Sequence, residues 1–220
     1  MLKFDLKEVK LKQVLFLLVG IFIDQFGVAM CARANFGISA VTFFSYSLNQ
    51  AVPSVTFGTW SFLFQVCLTL ALIVITREFG IQNILAFGVS FISGKVLDLM
   101  NRVASHLPMA LPLRIIWCGL GIFLIAFGVC LTIESGLPIQ PKDMFNRELS
   151  RIKGWKYKII KTIFDICCVT VGCAVLLIFC GRITGIGVGT LISALVMGSV
   201  TAWIRKWLLK LHIIEKSMVN

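Results

Sequence analysis

Charged side chains are scarce in this chain of 220 residues. They make up 14% of the sequence, and only 10 residues are acidic. A soluble globular domain ordinarily has about a quarter charged residues, so the shortage argues against one. Hydrophobic residues make up 58% of the chain. No water-soluble core of this size needs so much apolar material, and the sequence therefore indicates a protein whose solvent is the lipid bilayer.

Residues that usually carry catalysis or bind metals are also few. The two histidines, His106 and His212, lie far apart in the sequence, and there is no GxSxG element and no phosphate-loop lysine. Eight cysteines are present, but they form no CxxC or Cys/His spacing, and most fall in apolar runs. We therefore predict no enzyme activity, no cofactor, no metal site and no disulfide.

Six apolar runs have the roughly 20 residues needed to cross about 30 Å of hydrocarbon. They cover approximately residues 13–32, 58–76, 82–101, 112–133, 158–180 and 184–204. A further segment, residues 36–55, is apolar but interrupted by polar residues and a proline, and it is not counted as a span.

The start of the chain resembles a cleaved signal peptide. We expect a retained anchor instead, because the first run is echoed later in the chain.

The sequence contains an internal repeat. The first run reads Gly20-Ile-Phe-Ile-Asp-Gln-Phe-Gly27, and the fourth reads Gly121-Ile-Phe-Leu-Ile-Ala-Phe-Gly128. Further matches follow at nearly the same offset, including Gln65-Val-Cys against Asp165-Ile-Cys. We therefore divide the chain into a first repeat, 1–107, and a second, 108–220. Each contains three spans, an odd number, so the second unit enters the membrane from the opposite face as an inverted repeat.

The distribution of basic residues predicts the orientation of the chain. With six spans, 16 lysines and arginines fall on the side of the termini and 4 on the other side, with Lys95 inside a span. By the positive-inside rule both termini are cytoplasmic. The net charge of +11 then reflects membrane topology, so we predict no nucleic-acid partner.

The segment after the first span of each repeat predicts a short amphipathic or re-entrant helix. In residues 138–155, Pro141 and Asp143 suit the first helical turn and Gly154 suits the end. Phe145, Leu149 and Ile152 form an apolar stripe with basic neighbours. We expect this helix at the cytoplasmic interface, in contact with anionic lipid. Its counterpart, residues 36–55, is more apolar and is expected to dip into the membrane.

Three elements resemble a known bacterial family, the YczE/YyaS/YitT-like integral membrane proteins. They are Asn35-Phe-Gly-Ile-Ser39 after the first span, Gly58-Thr-Trp-Ser61 at the start of the second, and Glu134-Ser-Gly-Leu-Pro138. The resemblance covers most of the chain. It implies a multi-pass protein of the bacterial inner membrane and carries no defined activity.

Polar residues within the spans point to a candidate site. An ionisable group in the bilayer interior costs several kcal/mol unless it is paired or hydrated. We predict that four such residues converge on one polar pocket between the repeats, with Lys95 and Asp98 paired along their helix, and that a fifth lies near the cytoplasmic side of the pocket. The four are Asp24, Gln65, Lys95 and Asp98, and the fifth is Asp165, which shares a helix face with Lys161. A purely structural role for the same residues is equally open.

Two functions follow from these features. The first is a small-solute transporter with its site between inverted repeats. The alternative is a non-transporting scaffold or regulator that acts through the basic cytoplasmic loop. The expected partners are the bilayer, anionic lipid at the cytoplasmic face and a small solute. The sequence also allows a homo-oligomer.

Overall fold

The computed structural model describes residues 11–77, 79–137 and 140–210. The description covers the backbone but not the side chains at 158, 188, 191–196 and 198. Within these ranges the chain is all-helical. In chain order the helices are α1 (Leu11–Ala34), α2 (Ala40–Ala51), α3 (Phe57–Thr76), α4 (Ile81–Ser105), α5 (Leu111–Glu134), α6 (Pro141–Lys153), α7 (Tyr157–Cys180) and α8 (Val188–Lys210).

Five of these helices are long and apolar enough to cross a membrane: α1, α3, α4, α5 and residues Ile159–Cys180 of α7. They coincide with five of the six predicted spans. Large apolar side chains point outward from them, as at Val74, Ile178 and Phe179, which suits a lipid-facing surface. The protein is therefore a multi-pass membrane protein. The sixth span, in α8, stays a prediction.

Helix ends form where the local sequence predicts them. Thr56 caps α3 by accepting a hydrogen bond from the backbone of Thr59 at 3.3 Å. Pro141 opens α6, Asp143 lies in its first turn, and Gly154 ends it in the left-handed conformation with φ of 67°. Gly181 ends α7 in the same way. The short helix predicted within residues 138–155 is thus confirmed.

The centre of the fold is an antiparallel seam between α1 and α5. Gly20 lies against Gly128, and Gly27 lies against Gly121. A Cβ atom on Gly27 would stand only 2.6 Å from the carbonyl oxygen of Gly121, so the backbones approach as closely as glycine allows. The small residues on this face of α1 therefore form a helix–helix interface with α5.

The outer spans pack along this central pair. α4 runs parallel to α1, because Val89 packs with Leu17 while Met100 packs with Ala29. α8 runs parallel to α5, because its Gly189 lies against Cys118 and its Ile204 packs with Ala126. We call the end of the bundle where α1 begins the near end, and the opposite end the far end.

The short helix α2 packs into the bundle beside α7. The chain turns inward from the far end of α1, where the backbone of Ile38 donates to Gly185 at 3.1 Å. α2 then runs back outward alongside α7, with Phe43 against Gly172 and Gln50 near Cys180. Its first turn is therefore the deeper end.

The short helix α6 enters from the near end in the same manner. Gln140, immediately before it, reaches Asp24 in the middle of α1, while Phe145 contacts Phe164 in α7. Pro141, Met144 and Asn146 are buried. These three residues pack inside the bundle, whereas Arg147 and the last turn are exposed. The location of this helix at the cytoplasmic interface stays a prediction.

Four phenylalanines form a row between the two short helices α2 and α6. The rings of Phe64 and Phe164 stack at 6.3 Å with an interplanar angle of 10°. Phe44 of α2 packs on Phe64 at 4.7 Å, and Phe145 of α6 packs on Phe164 at 5.6 Å. The row joins α2 and α3 to α7 and α6.

Candidate functional site

A small cavity lies where the first turns of α2 and α6 meet. Its volume is about 20 Å³, enough for one or two water molecules. The walls come from α1, α2, α3 and the start of α6, at the middle of the bundle. The lining residues are Gln25, Val28, Val41, Thr42, Ser45, Ser61, Phe64, Gln65, Gln140 and Lys142.

Asp24 lies directly behind this wall. Its side chain is fully buried. Oδ2 accepts hydrogen bonds from two lining amides, Gln25 at 3.1 Å and Gln140 at 3.0 Å. Among the described residues, no donor reaches Oδ1. The carboxyl group therefore orients both glutamine side chains through Oδ2, while Oδ1 remains available to accept a further hydrogen bond.

Gln65 projects from α3 to the cavity and is 4% exposed. Its Nε2 donates to the carbonyl of Ser61 over a long 3.4 Å. Within the part of the chain that the structure describes, Oε1 has no donor. A buried polar atom without a partner costs about 1–3 kcal/mol. A hydrogen-bond donor bound in the cavity would remove this cost by donating to Oε1.

Lys142 is the one charged residue among those that line the cavity. It stands in the first turn of α6, which carries the positive end of the helix dipole. The first turn of α2 faces the same space through Val41 and Thr42. The electrostatic potential of the cavity is thus set by one lysine, two helix N-termini and the nearby carboxyl group of Asp24.

The predicted convergence of four residues is only partly found. Asp24 and Gln65 lie at the cavity, but Lys95 is exposed on the outside of α4, with its Nζ 5.6 Å from the centre of the Phe91 ring. Asp98 turns the other way and binds the start of α3, through the Thr56 hydroxyl and the Gly58 amide, each at 2.7 Å. The predicted Lys95–Asp98 pair does not form, because the Asp98 carboxylate is held by the start of α3 while the Lys95 side chain reaches outward over Phe91.

Asp165 does not line the cavity. Its carboxylate pairs with Lys161 at 3.4 Å, one turn earlier on α7. The side chain of Asp165 is 27% exposed. The sequence placed Asp165 near the inner side of the pocket and noted this lysine as a neighbour on the same helix face, and the second of these expectations is confirmed.

A model of one protein family matches residues 11–206, which is most of the chain. The description of that family is "Family of unknown function (DUF6198)". The chain belongs to the DUF6198 family. No curated protein and no solved structure matches it. The function of this DUF6198 protein therefore has to be argued from its own geometry.

Sequence reasoning missed three polar residues of the DUF6198 site: Gln25, Gln140 and Lys142. The signal was present, since Gln140-Pro-Lys142 aligns with Ser39-Ala-Val41 at the repeat offset. The lysine was counted with the cytoplasmic loop. A further buried polar residue, Glu134, lies outside the cavity; its side chain is 2% exposed and pairs with Arg205 at 2.6 Å.

Across the described ranges, no three His, Cys, Asp or Glu side chains come together in a way that could hold a metal ion. The side chains that line the cavity offer hydrogen-bonding groups and the charge of Lys142.

Proposed function

We propose that this protein is a bacterial membrane transporter for small solutes, with its binding site between two inverted repeats of three spans each. The observation that carries the proposal is the buried polar cavity at the meeting point of the two short helices α2 and α6. Non-helical backbone is tolerated at membrane depth where it is packed in protein or borders a polar cavity. Broken or re-entrant helices at the middle of a bundle are typical of transporter binding sites.

Paired contacts support the inverted repeat. The duplication aligns Gly20 with Gly121 and Gly27 with Gly128. The contact of Gly20 with Gly128 is then equivalent to that of Gly121 with Gly27. The alignment therefore exchanges these two contacts with each other, as a two-fold axis would. In the proposed arrangement this axis lies in the membrane plane and passes through the crossing of α1 and α5.

The phenylalanine row obeys the same relation. Phe44 and Phe64 align with Phe145 and Phe164 at offsets of about 100 residues, and the row Phe44–Phe64–Phe164–Phe145 reads the same from both ends. The halves are thus interleaved, because α2 packs on α7 and α6 packs on α3. Rocking of one half against the other would open the cavity to one side at a time.

Flux through proteoliposomes tests transport. The purified protein is reconstituted and the flux of small neutral, anionic and cationic solutes is compared with protein-free vesicles. Ser45→Leu fills the cavity, since Ser45 is 1% exposed on its wall. We expect at least a tenfold loss of flux, whereas Ser105→Leu, on the exposed end of α4, keeps it. Flux equal to empty vesicles for every solute contradicts transport.

The scaffold alternative has one observation in its favour. The exposed end of α6 and the start of α7 carry Arg151, Lys153, Trp155, Lys156 and Tyr157. Basic residues beside interfacial aromatics favour contact with anionic lipid. Neutralising Arg151, Lys153 and Lys156 to glutamine discriminates the two functions. A transporter keeps its flux, whereas a scaffold that acts through this surface loses its function while the cavity is intact.

A further inference from the structure

We infer that the cavity between the start of α2 and the start of α6 binds a small monovalent anion, of the size of a halide or formate ion. The inference rests on the proposed function and names the class of solute for that site. Four features of the site, argued in turn, support it: an uncapped helix N-terminus, a lysine on the wall, adaptable buried polar groups and a small volume.

The first turns of both short helices lack side-chain caps. Ser39 precedes α2, but its hydroxyl bonds with the Thr42 hydroxyl at 2.9 Å and leaves the backbone amides alone. Gln140 precedes α6, but its amide donates to Asp24. The N–H groups that open a helix need acceptors. At α6 few of them are free, because Pro141 has no N–H group and the amides of Asp143 and Met144 donate to the carbonyl of Gln140. At α2 the N-cap side chain is engaged elsewhere, so an anion in the cavity would supply the acceptor.

Lys142 adds a full positive charge to the same wall. Among the described residues no carboxylate comes within salt-bridge distance of its ammonium group, although the carboxyl groups of Asp24 and Asp165 lie within electrostatic reach of it. The Asp24 carboxyl group is held by the two glutamine amides. The charge of Lys142 would attract an anion into the cavity and retain it there.

Gln65 supplies the independent sign of a missing guest, because it is buried on the cavity wall with an oxygen that no described donor reaches. That oxygen can accept a hydrogen bond from a water molecule that hydrates the anion. The buried hydroxyl of Ser45 is a donor that can rotate toward the anion. The wall thus adapts to an anion or to the water that hydrates it.

Size restricts the class of anion. A cavity of about 20 Å³ holds one or two water-sized groups. Sulfate, phosphate and amino acids are larger than this volume in the present conformation. A cation is the competing guest, since Asp24 Oδ1 and Gln65 Oε1 are acceptors. We favour the anion because the only charged side chain on the wall is a lysine.

Binding is tested on the full-length protein in detergent, separately from transport. Thermal unfolding is followed at constant ionic strength while gluconate is replaced by chloride, bromide, formate or sulfate. A second series varies sodium, potassium and ammonium with gluconate. We expect a saturable rise in Tm with the small monovalent anions and none with sulfate or the cations. Line broadening of ³⁵Cl⁻ in NMR, reversed by formate, provides a second measurement.

Variants separate the cavity from general salt effects. Lys142→Met should abolish the chloride shift, whereas Lys153→Met, on the exposed last turn of the same helix, should retain it. Lys142→Arg, which keeps the charge, should also retain binding and serves if Lys142→Met does not fold. A chloride shift unchanged in Lys142→Met overturns the inference, as does a response to cations alone. Chloride binding without flux of any solute would support the anion site and refute the transporter.

Discussion

At the scale of single residues, the role of a charge inside the membrane is set by the face of the helix that carries it. Lys95 and Asp98 are three positions apart, a spacing that permits pairing, yet Asp98 is bound to the start of α3 and Lys95 is exposed over Phe91. Asp98 is therefore a cap supplied by a neighbouring helix. Lys95 reaches outward along its apolar stem.

Replacement of Asp98 by alanine should destabilise the protein by about 1–2 kcal/mol, because the start of α3 loses two acceptors. Lys95→Ala should change stability by no more than about 0.5 kcal/mol. Reversible unfolding in mixed micelles measures both. The double variant should be additive within about 0.5 kcal/mol. A double variant more stable than Asp98→Ala alone would indicate that the two side chains interact after all.

The sequence predicted the site residues that lie on long helices and missed those whose position depends on the loop before α6. Asp24 and Gln65 were predicted because they are polar residues within long apolar helices. The positions of Gln140 and Lys142 depend on the chain turning inward before α6, and a basic, proline-containing segment reads as interfacial. Only the three-dimensional path of that segment brings Gln140 to Asp24.

At the scale of elements, glycine decides how closely the two central helices approach. A Cβ atom on Gly128 would lie 2.6 Å from the carbonyl oxygen of Gly20, and the backbone of Asp24 is equally close. Backbone atoms within a helix cannot give way cheaply. By contrast, a Cβ atom on Gly119 of the same helix would meet no atom within 4 Å.

We expect Gly128→Ala to lower the free energy of unfolding by about 1–3 kcal/mol through overpacking. The control, Gly119→Ala, should leave stability unchanged or raise it by up to about 1 kcal/mol, since alanine favours helix. Thermal unfolding of the two variants side by side measures the difference. Equal stability of both would mean that α1 and α5 are not in close contact.

Hydrophobic runs predicted the helical elements well because the bilayer imposes a fixed length on them. The predicted first span, 13–32, lies within α1 (Leu11–Ala34), and the predicted fourth, 112–133, lies within α5 (Leu111–Glu134). The direction of α2 and α6 was not predictable in this way. It depends on Phe43 against Gly172 and on Phe145 against Phe164, contacts between distant parts of the chain.

At the scale of the whole molecule, the helices alternate in direction around the central pair. α8 runs beside α5 from the far end to the near end, so a sixth crossing would return the C-terminal end of α8 to the side where α1 begins. This agrees with the excess of basic residues predicted for that side.

Single cysteines in a cysteine-free background test this topology with an impermeant maleimide. Exposed positions are available at Ser105, Lys153 and Lys210. We expect a cysteine at 105 to be labelled from outside intact cells, and cysteines at 153 and 210 to be labelled only after permeabilisation. Labelling of position 210 from outside would show that α8 does not cross. Labelling of 105 and 153 from the same side would contradict the proposed arrangement.

The two short helices α2 and α6 are about 18–20 Å long by the helical rise per residue, and the first turns of both line one polar cavity. If they enter the membrane from opposite sides, as proposed, polar groups from both sides approach each other there, and the low-dielectric layer between them is thin. A membrane voltage falls mainly across such a layer. An ion that moves through this point alone would cross most of the field in one short step, gaining or losing about 2.3 kcal/mol per elementary charge for each 100 mV.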